Sequence, residues 1–172
     1  MKSNPLVSFV RTAYTLLVRI ASSLQSPFLL IVRLYWGWSF VQTGWGKLQD
    51  LSKPTEFFTS LHIPFPAFNA VLASSTEFLG GILILVGLAS RLAAIPLTIV
   101  MIVAYLTTEG EALHALFVDH DPDKFLAATP FQFLFAVLLV LFFGPGFFSI
   151  DHFLMKKFGK GTSESSTPPN QG

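Results

Sequence analysis

Cysteine is absent from the 172 residues of this chain, which excludes disulfides, thiolate nucleophiles, Cys-ligated zinc and iron–sulfur clusters. Any redox chemistry would therefore need a bound cofactor or a partner subunit. Charge is scarce as well: Asp, Glu, Lys and Arg make up 12% of the chain and hydrophobic residues 52%, whereas ordinary soluble domains are about 25% charged. That imbalance points to an integral membrane protein. The net charge is only +1, and the scattered basic residues form no aromatic–basic stripe of the kind that binds nucleic acid. No glycine-rich phosphate loop follows a strand, and no nucleophile–base set is visible. At this length there is no room for a separate catalytic module. What is plentiful is phenylalanine, with 19 copies, which suits a lipid-facing surface.

The hydrophobic pattern predicts an all-α membrane protein: a four-transmembrane-helix up-down bundle preceded by an amphipathic interfacial helix. Residues 1–26 set Lys2, Arg11 and Arg19 among Phe9, Val10, Leu16, Leu17 and Ile20. That is too interrupted for the apolar core of a signal peptide but suits a helix lying at the membrane surface. Spans are predicted at about 27–48, 67–88, 92–108 and 130–150, each close to the roughly 20 residues a bilayer requires. Between the first two, a proline-bearing loop allows a helical turn or two around Thr55–Leu61. The loop from Glu109 to Thr129 is acidic and reads as solvated. Residues 152–172 read as a basic and then disordered tail.

Three faces repeat at helical spacing. Arg33, Gly37, Phe40, Gly44 and Lys47 share one face of the first span. Ala70, Ala73, Glu77, Gly80, Ile84 and Gly87 share one face of the second, and Ala94, Thr98, Met101, Tyr105 and Thr108 one face of the third. Small residues on facing stripes let helices approach closely, so the first two spans are natural partners. Four spans put both termini on one side together with Lys2, Arg11, Arg19, Arg91, Lys156, Lys157 and Lys160. Lys47, Lys53 and Lys124 fall on the other, so the positive-inside rule makes the termini cytoplasmic.

Ionisable residues within spans default to function and need partners. Measured from the cytoplasmic edge, Arg33 is expected at a depth of ~9 Å and Glu77 at ~16 Å on straight helices. A guanidinium on its long stem bridges most of that difference, so the two are expected to pair inside the bundle, directly or through water. Two readings of the pair stay open: a structural lock between helices, or the polar wall of a ligand cavity or proton site. In an alternative, Arg33 snorkels to the interface and leaves Glu77 without it. His114, Asp119, His120, Asp121 and Asp123 do not match an EF-hand or a zinc helix, so no metal site is expected. Thr98, Tyr105 and Gln132 suit interhelical hydrogen bonds. Trp36, Trp38 and Trp45 suit interfacial anchoring, or stacking on a flat ligand.

Three pieces, spread over roughly residues 28 to 155, resemble the DoxX family of small membrane proteins. They are Arg33…Gly37…Phe40…Gly44…Lys47-Leu48, then Glu77-Phe-Leu-Gly80-Gly81…Leu85-Val-Gly87-Leu88…Arg91, and finally Gly144-Pro145-Gly146…Ser149-Ile150-Asp151. The resemblance implies a four-span bundle in the bacterial cytoplasmic membrane and an association with redox complexes. The namesake is tied to a quinone-reducing sulfur oxidation system, and relatives are linked to quinone or oxidative-stress tolerance. The family's recurring polar positions fall on Arg33, Lys47, Glu77, Arg91 and Asp151. Arg91 and Asp151 share the cytoplasmic membrane edge, where a second ion pair is expected.

Three functions follow as expectations. The first is an accessory subunit of a membrane redox system that binds a quinone or another flat apolar molecule among the helices, held by Arg33 and Glu77, with Tyr105 and the first-span tryptophans as walls. No cofactor is encoded in the chain, and an oxidoreductase partner would supply electrons. The second is a small transporter, dimerised because four spans are few, with Glu77 coupling protons. The third is a structural scaffold whose charges only fix packing.

Overall fold

The structure, a computed structural model, describes residues 5–158, and these are helical with no strand among them. Helix α1 (Pro5–Gln49) is followed by the short α2 (Ser52–Ser60), α3 (Pro66–Val86) and α4 (Ser90–Thr108). Then come α5 (Gly110–His114), a π-helical turn (Ala115–Asp119), α6 (Pro122–Ala127), α7 (Thr129–Phe143) and α8 (Ile150–Phe158). Three of these, α1, α3 and α4, are long and apolar enough to cross a membrane. Their outward side chains, such as Ile31, Leu34, Leu79, Ile95 and Leu106, are exposed as lipid-facing residues should be.

Helix α1 has 45 residues, a rise of ~67 Å at 1.5 Å per residue, about twice the ~30 Å hydrocarbon core. The expected interfacial segment and first span are thus one helix, which passes through Pro27 without ending. Proline removes one backbone donor but is tolerated in membrane helices. Residues 6–25 are exposed along their whole length, and the helix enters the packed body only at Ser26 and Leu29. Other expectations also shift. Residues 109–129 are not an open acidic loop but α5, the π-helical turn and α6, the last opened by Asp121, whose side chain accepts from the Asp123 N–H, with Pro122 in the first turn. The predicted fourth span resolves into the 15-residue α7, ~22 Å long, plus the turn through Gly144-Pro145-Gly146. Residues 152–158 continue as helix α8, and the tail beyond lies outside the described residues.

The predicted seams are where the helices meet. Helix α1 packs along α3, α3 on α4, α4 on α7, and α7 returns to α1. Phe40, Ile84, Ala94, Leu97, Met101, Val137 and Val140 fill the middle. A methyl group at Gly44 would stand 2.8 Å from Phe78 Cα, and one at Gly81 would stand 2.8 Å from Phe40 Cβ. These glycines bring α1 and α3 into backbone contact. Gly37 faces Leu85 and Gly44 faces Phe78, so facing residue numbers add to 122 and the two helices run antiparallel.

Candidate functional site

That register decides which charges can meet. Glu77 is level with residue 45 of α1, while Arg33 is level with residue 89, past the end of α3. Twelve residues of helix, ~18 Å, separate them. The expected Arg33–Glu77 pair is therefore not formed. It presumed that both spans end in one plane, whereas Val86 at the end of α3 lies level with residue 36, well inside α1.

Glu77 instead accepts two hydrogen bonds from Lys47 Nζ, at 2.6 and 2.7 Å. The carboxylate is 3% exposed and the lysine 45%. The pair sits in the wall of a half-open cavity of about 530 Å³ formed by α1, α2, α3 and α4. Phe57 and Phe58 of α2 and Leu72 of α3 line it opposite Ile99, Val100 and Val103 of α4. Its other polar groups are few: Lys53, Asn69, Thr107, Thr108 and Ser74. Ser74 is 1% exposed and its hydroxyl has no hydrogen-bond partner. It lies one turn before Glu77 on the same face of α3, a position the 70–73–77 stripe passes over. An apolar slot with one ion pair and a few hydroxyls at its wall has the composition of a small-molecule site. A carboxylate already occupied by an ammonium leaves Lys47 one further N–H to offer an acceptor group.

The sequence-predicted walls are elsewhere. Tyr105 is buried and donates its hydroxyl to the Phe125 carbonyl at 3.0 Å, its ring packed at a tilt against Phe125 rather than lining the cavity. Trp36 packs edge-on against Phe133, and Trp38 and Trp45 face outward.

Arg33, 1% exposed, serves the opposite end of the packed body. Helix α3 ends in a left-handed Gly87 (φ 75°), with the Gly87 N–H bonded to Ile84 O at 3.2 Å and the Leu88 N–H to Leu83 O at 3.0 Å. Arg33 Nε donates to Ile84 O at 3.0 Å and Nη2 to Leu85 O at 3.4 Å. Its Nη1 donates to Phe148 O at 3.2 Å and also to Pro145 O. A cation on the last carbonyls of a helix satisfies orphan acceptors and meets the negative end of the helix dipole. Asp151 does the converse for α4, which lacks a local side-chain cap. Its carboxylate accepts from the Ala89 N–H at 2.7 Å and the Ser90 N–H at 3.1 Å, while its own N–H donates to Gly87 O at 2.9 Å. The expected Arg91–Asp151 ion pair gives way to this capping, because two converging amides hold the carboxylate. Arg91 instead donates to Phe142 O at 3.3 Å. The three pieces that carried the resemblance thus converge on one α3–α4 junction, with the glutamate and Lys47 left to the cavity.

A helical, lipid-facing body with charges buried in its seams defines a small integral membrane protein. The DoxX family model matches residues 28–110, a stretch that contains every residue lining the Lys47–Glu77 cavity. An uncharacterized membrane protein of Mycobacterium tuberculosis is 31% identical over 146 residues, covering 76% of this chain and 83% of that protein. The chain belongs to the DoxX family. It is also similar to CatD of Bacillus subtilis, provisionally named an oxidoreductase, at 27% identity over 60% of this chain and 86% of CatD. The inner membrane protein YqjF of Escherichia coli is 26% identical over 78% of this chain and 98% of its own length. No solved structure matches.

Proposed function

We propose that this chain is an accessory subunit of a bacterial cytoplasmic-membrane redox system that binds a flat apolar molecule, a quinone or similar aromatic, in the Lys47–Glu77 cavity. The observation that carries the reading is the cavity itself: about 530 Å³, walled by Phe57, Phe58, Leu72, Ile99 and Val103, with the Lys47 ammonium, held by Glu77, and that of Lys53 in its lining to meet a carbonyl oxygen. Lys47 replaces Arg33 as the donor in this reading, and Glu77 orients Lys47. CatD's name favours a redox setting. In the membrane, α1, α3, α4 and α7 would form the up-down four-span bundle, α7 completed by the turn after it. The basic residues at the α3–α4 junction end would keep both termini cytoplasmic, and residues 6–25 of α1 would extend beyond the bilayer on that side. The transport reading finds less support, because Phe40, Ile84, Ala94 and Leu97 close the middle of the packed body.

The test is co-purification. The full chain extracted from native membranes should carry an extractable quinone or aromatic compound, seen in its absorption spectrum and by chromatography, and an oxidoreductase subunit. Glu77→Gln should lower the bound compound while leaving the partner attached. Recovery of neither compound nor partner under mild extraction refutes the proposal.

A further inference from the structure

At the opposite end of the packed body from the Lys47–Glu77 pair lies a second half-open cavity of about 600 Å³, between α1, the start of α4, the Gly144–Ser149 turn and α8. It is two-sided in character. Ser22, Gln25, Arg91, Asp151 and His152 supply polar groups, while Leu29, Leu92, Leu154 and Met155 supply an apolar wall. Two charges of opposite sign line it, and they are differently engaged. Both Asp151 oxygens are taken by the Ala89 and Ser90 amides. Arg91 is exposed and makes one long bond to Phe142 O at 3.3 Å. Its guanidinium lies over Gly144, where an added methyl group would stand 3.1 Å from Nη2. The rim adds positive charge: Arg19 lies one turn before Ser22 on α1, Lys156 follows Met155, and both are exposed. No acidic residue occurs anywhere in α1.

We propose that this cavity binds one anionic phospholipid, its phosphate on Arg91 with Ser22 and Gln25 beside it, and an acyl chain along Leu29, Leu92, Leu154 and Met155. A free phosphate would satisfy Arg91 but leave the apolar wall unused; a phospholipid uses both sides. Anionic headgroups are drawn to basic residues at a membrane edge, and charge-assisted bonds from a guanidinium fix a phosphate in place. The site is independent of the ligand assigned to the Lys47–Glu77 cavity.

Native mass spectrometry of the full chain in a neutral detergent tests it, with titration of dioleoyl-phosphatidylglycerol, dioleoyl-phosphatidylcholine and glycerol 1-phosphate. Phosphatidylglycerol should saturate one site about fivefold more tightly than phosphatidylcholine, the difference one membrane-edge cation makes. Arg91→Gln and Ser22→Asp should each remove that preference, and Lys124→Gln, on distant α6, should keep it. Ser22 is exposed, so its variant keeps the test decisive if Arg91→Gln does not fold. Equal affinity for the two lipids, or an unchanged preference in Ser22→Asp, overturns the proposal. Displacement of phosphatidylglycerol by millimolar glycerol 1-phosphate would make this a small-phosphate site and overturn the lipid assignment.

Discussion

Replacing Lys47 with methionine strands the Glu77 carboxylate where its side chain is 3% exposed. Removing one partner of a fully buried ion pair costs about 3–5 kcal/mol. Lys47 is 45% exposed, so solvent entering the cavity replaces part of its role, and the loss should be about 2 kcal/mol. Adding Glu77→Gln removes the stranded charge and should restore about half of that loss, because a neutral amide tolerates the site better. The cycle Lys47→Met, Glu77→Gln therefore carries a coupling of roughly 1 kcal/mol or more. The matching cycle Arg33→Met, Glu77→Gln should be additive within about 0.5 kcal/mol, because the two groups lie ~18 Å apart along the helices. Reversible unfolding in mixed micelles, followed by circular dichroism, measures both cycles. Strong coupling of Glu77 to Arg33, or none to Lys47, would refute the register and the site built on it.

Other consequences follow from the same geometry. Gly87→Ala would force a side chain into a left-handed position and bring its Cβ 2.6 Å from Arg33 Nη2, so unfolding in micelles should show a loss of more than about 2 kcal/mol. Gly44→Val should separate α1 from α3 and lower stability by about 1–3 kcal/mol, whereas Gly46→Val, which meets nothing within 4 Å, should be tolerated. Asp151→Ala removes the cap of α4 and should cost about 1–2 kcal/mol, with Asp151→Asn recovering part of it. Asp50, in the α1–α2 turn, is held below the usual carboxylate range by hydrogen bonds from the Ser52 hydroxyl and N–H. Its folded value lies below its unfolded one, so the contribution of this turn is present above the unfolded value and lost as pH falls through the folded one. Carbon-detected NMR should place the Asp50 titration higher in Ser52→Ala.

Much of this architecture is legible in residue spacing, and the failures have physical causes. The seams were readable because a close approach of two backbones requires small residues on one face, and Gly37, Gly44, Gly80 and Gly81 fall at helical intervals. Periodicity fixes a face but not an axial register. Arg33 and Glu77 lie on the correct faces of adjacent helices and still miss each other by several turns. The expectation pairs Glu77 with Arg33 and passes over Lys47 at the end of the span, although 33, 37, 40, 44 and 47 already place Lys47 on the face that Glu77 meets. The Asp151 cap acts on amides 61 and 62 residues away, a relation no local pattern encodes. The acidic stretch was different, since Asp121-Pro122 is a helix-start signal that its charge density obscured. Ser26-Pro27 is the opposite case: a residue before proline is steered away from helix, yet α1 runs through it.

The claim that the Lys47–Glu77 cavity holds a flat apolar ligand is tested most directly by filling it. Ala73 lines the cavity on α3 and takes no part in the ion pair, so Ala73→Trp occupies the slot and spares the charges. Equilibrium binding of a short-chain benzoquinone to the purified chain in micelles, compared with this variant, is the measurement. Saturable binding by the parent chain is expected, with a loss of at least about tenfold in Ala73→Trp, about 1.4 kcal/mol of binding free energy or more. Equal binding by both, or no saturable binding by the parent chain, would contradict it.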